Sequence, residues 1–225
     1  MAYEKTILCY GDSNSWGLIP GKFNESYQLQ KRLEKKLRWP KQLKALLGKE
    51  YEVIEANLCG RNTSFDEIPA TRPSRNGLKT LPHCLEMHYP IDLIIFMLGT
   101  NDTRIDYKFN ASVEDITRGM RALIQCVKQS HYGRNYQPSK ILLIAPSPLI
   151  AEAAIHSHDC FDHTSIEKSL KIGAAYQNLA EEEHCAFVDA GQIIKVTSED
   201  GVHIEATDLA ILAKAVAQKI QTLCL

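Results

Sequence analysis

The sequence predicts an α/β fold, a three-layer sandwich built on a five-stranded parallel sheet of flavodoxin-like order. Short apolar, β-branched runs bounded by turn residues recur five times along the 225 residues, and segments with apolar side chains three or four apart alternate with them. Parallel strands need a long connection and both faces of such a sheet need cover, so this order calls for right-handed crossovers with helices on either side. The length suits one sizeable core and no linker interrupts the pattern, so residues 1–225 read as a single domain.

In a sheet of this kind the ligand site lies beyond the carboxyl ends of the strands, so the residues after each run matter most. The first strand, Thr6 to Tyr10, leads into Gly11-Asp12-Ser13-Asn14-Ser15-Trp16-Gly17, a tight strand-to-helix turn that lifts the Ser13 hydroxyl into the open. Taken alone, Ser13 suits an ordinary helix N-cap as well as a nucleophile. The segment is not the G-x-S-x-G elbow, because Ser15 occupies the last glycine position. Asp12 reads as a turn residue bonding the local backbone rather than as an acid catalyst. Asp12 and Trp16 are also candidate substrate-binding residues, although a tryptophan one turn into a helix suits the core equally well.

The mixed-sign run Lys31 to Arg38 reads as solvated surface, open to use as an oligomer interface, and Pro40 to Leu47 as a helix. Glu52 to Asn57 is the second strand. Behind it stand Leu58-Cys59-Gly60-Arg61-Asn62-Thr63, where Gly60 lets the backbone approach a ligand and offer its N–H. Leu78 to His88 reads as a helix and Asp92 to Leu98 as the third strand, ending in Gly99-Thr100-Asn101-Asp102. The Asn101 amide there can donate to an oxyanion; a turn asparagine capping its own backbone is the plainer alternative. Next come a helix over Val113 to His131 and the fourth strand, Lys140 to Ala145. Pro146 to Asp162 is a long, irregular connection able to form a lid. Ser165 to His184 is helical, Ala186 to Asp189 is the last strand, and Ala206 to Leu223 is the closing helix.

Before that helix stands Asp200-Gly201-Val202-His203, a carboxylate three residues ahead of an imidazole in a glycine-containing turn. A serine hydroxyl attacks poorly until a neutral imidazole accepts its proton, and that imidazole must be held in one tautomer by an acceptor at its other nitrogen. Ser13, His203 and Asp200 supply those three groups. A surface turn with a solvated histidine is the alternative for the late pair. Cys59, beside Gly60, is a rival nucleophile with no histidine near it in sequence.

The 26 basic and 27 acidic residues nearly cancel, so no long-range positive field gathers nucleic acid or an anionic membrane. The start, Met1-Ala2-Tyr3-Glu4-Lys5, runs into an apolar stretch too brief for a signal-peptide core, and no apolar run approaches a membrane span, so a cytoplasmic location is expected. Seven scattered cysteines (Cys9, Cys59, Cys84, Cys126, Cys160, Cys185, Cys224) form no C-x-x-C pair, which favours reduced thiols over a disulfide framework or zinc ribbon. Without secretion the glycosylation-like triplets at Asn24, Asn62, Asn101 and Asn110 are chance matches. The crowded segment His156 to His163 matches no metal spacing and reads as a polar lid, so no metal and no cofactor is expected. Both G-x-G-x-x-G and the P-loop pattern are missing, which disfavours a nucleotide-binding protein.

Gly11-Asp12-Ser13, Gly60, Gly99-Thr100-Asn101-Asp102 and Asp200-Gly201-Val202-His203 resemble, in order, the four blocks of the SGNH (GDSL-type) hydrolases, and the likeness spans nearly the whole chain. Ile7 to Gly17, Val53 to Thr63 and Ile95 to Thr103 look most like the arylesterase and acyltransferase branch. The resemblance implies a serine esterase acting on small-molecule esters of short acyl chains through an acyl-enzyme on Ser13, with transfer to alcohols as a further capacity. It also implies an oxyanion hole made of the Ser13 and Gly60 backbone N–H groups and the Asn101 amide, and a homo-oligomer. Asn14 and Ser15 depart from the common spelling, where leucine and threonine are frequent, which puts the pocket shape rather than the chemistry in question. The same blocks suit a carbohydrate deacetylase, a thioesterase or a lysophospholipase, and a non-catalytic binding module would keep the fold without the chemistry.

Overall fold

In the computed structural model, residues 4–21, 31–68, 72–107, 109–157, 159–223 and 225 are described. Met1 to Tyr3, Asn24, His158 and Cys224 lie outside them. Five strands, β1 (Lys5–Gly11), β2 (Tyr51–Glu55), β3 (Leu93–Met97), β4 (Lys140–Ala145) and β5 (Ala186–Asp189), pair in parallel in the order β2-β1-β3-β4-β5. The register pairs Cys9 with both Glu55 and Ile95, and Ile95 in turn with Leu142.

Successive side chains of a strand point to opposite faces, and here both faces are apolar. Ile7, Cys9, Ile95 and Ile144 face α2 (Trp39–Leu47) and α7 (Ala206–Gln221). Leu8, Tyr10, Phe96 and Leu143 face α3 (Gly77–His88), α4 (Val113–Lys128) and α6 (His163–Glu182). The helices meet the sheet through stripes of helical spacing, Ile116, Met120, Leu123 and Val127 on α4 and Leu209, Leu212, Val216 and Ile220 on α7. The expected three-layer α/β sandwich is therefore the architecture of the chain.

Helix ends depart from the sequence reading where local hydrogen bonds decide them. Asp162 caps α6 by accepting the Ser165 N–H, which starts the helix two residues before the expected Ser165. α4 ends at Lys128, short of the expected His131.

Two further readings need correction. The connection 146–162 is not irregular throughout, because α5 (Glu152–His156) forms within it. Ala153 of that helix joins Leu149, Phe161 and Val202 in a third, small apolar cluster separate from the two that line the sheet. In the charged run, Lys31, Glu34, Lys35 and Lys36 are exposed as expected, but Arg32 and Arg38 turn inward. Both lie 3.6 Å from Glu55, and the Arg32 guanidinium stacks on the Trp16 ring at 4.6 Å.

Candidate active site

At the carboxyl end of β1 the chain turns at once into α1 (Ser13–Trp16), a single helical turn. Asp12 caps it by accepting the Asn14 N–H at 3.0 Å, and Gly17, at φ 90°, ends it in the left-handed conformation open to glycine. Gly11 is needed for close packing, because a Cβ there would sit 2.3 Å from the Ser15 Oγ. Ser13 thus occupies the first helical position, where a backbone N–H has no partner within the helix.

The loop before α7 comes back to the same rim. His203 Nε2 lies 3.0 Å from Ser13 Oγ across 190 residues of sequence, and His203 Nδ1 lies 2.9 Å from Asp200 Oδ2. The Asp200 carboxylate is saturated with donors. Its Oδ1 accepts the N–H groups of Val202 (2.9 Å) and His203 (2.8 Å), and its Oδ2 also accepts the Gly21 N–H at 2.7 Å. Burial pushes this carboxyl upward, but the hydrogen bond and charge of His203, joined by those backbone donors, hold it well below the ordinary carboxylate range. An ionised Asp200 leaves Nδ1 as the protonated ring nitrogen and frees Nε2 to accept from Ser13.

Gly60 and Asn101 line the same small cavity as Ser13 and His203. Gly60 has φ 78°, and Arg72 covers it so closely that a Cβ would meet the Arg72 Nη2 at 2.6 Å. The Asn101 Nδ2 donates to the Arg61 carbonyl at 3.1 Å and lies 3.5 Å from Asp12 Oδ2. Three loops therefore meet beneath the cavity, and buried polar groups brace them. Arg61 spans the first two, donating to the carbonyls of Gly11 (3.1 Å) and Ala56 while stacking on Tyr10 at 3.8 Å. Asp102 joins the second and third by accepting from the N–H (2.9 Å) and hydroxyl (2.5 Å) of Thr63.

Burial pushes the Asp12 carboxyl up to about 6 and that of Asp102 up to about 7. Asp12 serves as the cap of α1, and neither it nor Trp16 is among the residues lining the cavity; Trp16 lies half-buried under Arg32. Sequence reasoning missed Leu18, Phe161 and Val202, which supply apolar wall, and Arg104, a buried guanidinium held by both oxygens of Asp106 (2.9 and 2.5 Å). Cys59 lines the cavity too, but burial pushes its thiol up to about 12, which keeps it protonated and a weak nucleophile. Asn62 and Asn101 are buried, out of reach of glycosylation. Among the described residues no three histidine, cysteine or acidic side chains come together as metal ligands would, and no helix is long and apolar enough to cross a membrane.

The profile of the GDSL-like lipase/acylhydrolase family matches residues 9–209. Among solved structures, the chain is similar to the native aryl esterase of M. smegmatis (35% identity, 97% of this chain and 99% of that one, TM-score 0.88). A carbohydrate acetylesterase from Sinorhizobium meliloti is 34% identical over 97% and 99% of the two chains, with TM-score 0.87. A second carbohydrate acetylesterase family member from that organism is 30% identical over 96% and 97%, with TM-score 0.82. No curated protein matches the chain.

Proposed function

The chain belongs to the GDSL-like lipase/acylhydrolase family and is a carboxylic ester hydrolase, and from that premise we propose that it works through an acyl-enzyme on Ser13, with His203 as general base and acid and Asp200 as the carboxylate that orients it. The observation that carries this reading is the chain of contacts from Asp200 to His203 Nδ1 (2.9 Å) and from His203 Nε2 to Ser13 Oγ (3.0 Å). His203 takes the hydroxyl proton as Oγ attacks the ester carbonyl, then gives it to the departing alcohol; water repeats the sequence to free the acid. The negative oxygen formed at each attack is met by the Ser13 and Gly60 N–H groups and the Asn101 amide. A binding module has no use for a hydroxyl, an imidazole and a carboxylate in bonding sequence.

The cavity beside Ser13 is small, about 30 Å³, and Leu18, Phe161 and Val202 wall it with apolar side chains. That supports short acyl groups, acetyl above all. The solved relatives include an aryl esterase and carbohydrate acetylesterases, so acetylated sugars stand beside aryl acetates as substrates. Transfer of the acyl group to alcohols, a cytoplasmic location and assembly of identical subunits belong to the same reading. The thiols of Cys9, Cys59, Cys84, Cys126 and Cys185 are free, which suits a reducing compartment.

The test is hydrolysis of 4-nitrophenyl esters of increasing acyl length, beside an acetylated sugar and a thioester, with fluorophosphonate labelling of wild type and Ser13→Ala. Expected are a steep fall in kcat/KM beyond acetyl and an adduct on Ser13 that the variant lacks. A folded protein that hydrolyses esters without labelling Ser13 refutes the assignment.

A further inference from the structure

The residue after the nucleophile does something the triad alone does not account for. Asn14 is 6% exposed, and both ends of its amide are engaged across the active site. Nδ2 donates to the Val202 carbonyl at 3.2 Å and Oδ1 accepts the Ile204 N–H at 3.1 Å. These are the backbone groups on either side of His203. Because an N–H can only meet an acceptor, the Ile204 contact fixes which end of the amide is oxygen.

The rest of that segment is equally well satisfied. The N–H groups of Val202 and His203 both go to Asp200 Oδ1, and the His203 carbonyl accepts from the Thr197 N–H at 2.8 Å. Those partners belong to the loop itself and would travel with it. Asn14 belongs to α1, so its two bonds tie the loop that carries the base to the turn that carries the nucleophile. Val202, His203 and Ile204 are between 1% and 3% exposed, so the carbonyl and N–H that Asn14 serves are shielded from solvent that would otherwise replace it.

We propose that Asn14 is a positioning residue for the ester reaction, an amide clamp that sets His203 in register with Ser13. The inference rests on the reading of Ser13 and His203 given above. Bonds on both flanks of one residue resist its rotation as well as its translation, and His203 needs both held. It must accept a proton from Ser13 Oγ and then deliver that proton to the leaving oxygen, two positions that differ by a few ångströms. An ester with a good leaving group needs little of the second transfer, whereas an alkyl ester needs it fully. Loss of the clamp should therefore harm alkyl esters more than aryl esters, a selectivity that a mere loss of folded protein does not produce.

The experiment compares wild type with Asn14→Leu, which fills the space but makes no hydrogen bonds, and with Asn14→Ala, which leaves room for water at the two backbone groups. For each, kcat/KM is measured on 4-nitrophenyl acetate and on ethyl acetate, because this parameter reports acylation, with His203→Ala as control. The clamp predicts a fall of about tenfold to a hundredfold on the aryl ester and a loss at least about fivefold larger on ethyl acetate, in whichever variants remain folded. Equal losses on the two esters, or wild-type rates in either folded variant, overturn it. An active His203→Ala would overturn the triad, and the clamp with it; an inert His203→Ala beside equal losses overturns the clamp alone.

Discussion

Replacing Asp200 with asparagine changes one atom, and the surroundings dictate where the new NH₂ must go. At the Oδ1 position it would confront two backbone donors, the N–H groups of Val202 and His203. At the Oδ2 position it confronts the Gly21 N–H and the ring nitrogen Nδ1. The backbone donors cannot become acceptors, but the imidazole can, by moving its proton. The amide nitrogen is therefore expected at the Oδ2 position, donating to Nδ1. That choice puts the ring proton on Nε2, facing Ser13, and the base can no longer accept from the hydroxyl. In triads of this kind the wrong tautomer costs about ten-thousandfold in kcat, equivalent to roughly 5.5 kcal/mol of barrier. Gly21 also loses its acceptor, so a modest drop in Tm, from about 1 kcal/mol of lost stability, should accompany it. The assay is hydrolysis of 4-nitrophenyl acetate over a pH series, with thermal melting of the same samples. An Asp200→Asn variant within tenfold of wild-type kcat would refute both the tautomer argument and the place of Asp200 in the triad.

Three further outcomes follow from the geometry. Gly201 has φ 72°, and a Cβ there would lie 2.1 Å from the Ala153 nitrogen; Gly201→Ala should cost about 2 kcal/mol or more and lower turnover by displacing His203, whereas a variant as stable and active as wild type would show that this contact is slack. Asp102, raised by burial from 3.8 to about 7, contributes stability that is full below its unfolded value and drains away as the pH rises through its folded one. Asp102→Asn cannot ionise, so its stability relative to wild type should improve by on the order of 3 kcal/mol between about pH 4 and about pH 8; parallel denaturation curves at both pH values would contradict this. The Tyr176 hydroxyl is buried with no hydrogen-bond partner among the described residues, so Tyr176→Phe should be neutral or stabilising by about 1 kcal/mol in urea unfolding, and a clear loss would reveal an unrecognised acceptor.

The sheet was legible because strands covered on both faces must be apolar throughout, and a run such as Asp92 to Leu98 suits little besides a buried strand. The rim positions were legible for a related reason, since turn glycines and polar residues stand out directly behind such runs. Partnerships between rim loops were not. Nothing in the spacing of Asn14, Val202 and Ile204 says that an amide will bond both flanks of a histidine 189 positions later, nor that Asp102 will grip Thr63. The inward turn of Arg32 and Arg38 was hidden because charge alternation reads as solvent exposure, while their shared carboxylate, Glu55, sits in a strand. α5 was missed because five residues are too few to display a helical period.

The small cluster of Leu149, Ala153, Phe161 and Val202 packs at the rim that carries the candidate site, apart from the two layers against the sheet. Val202 sits between Asp200 and His203, so whatever loosens these few contacts slackens the loop that carries both while the two broad layers against the sheet remain intact. Warming should then silence the enzyme some degrees before it unravels, and cooling from that interval should restore activity without any refolding of the whole chain. Heat tolerance of function should then respond to changes at these four side chains, and also at Ile204, which ties the far side of His203 to the layer under α7.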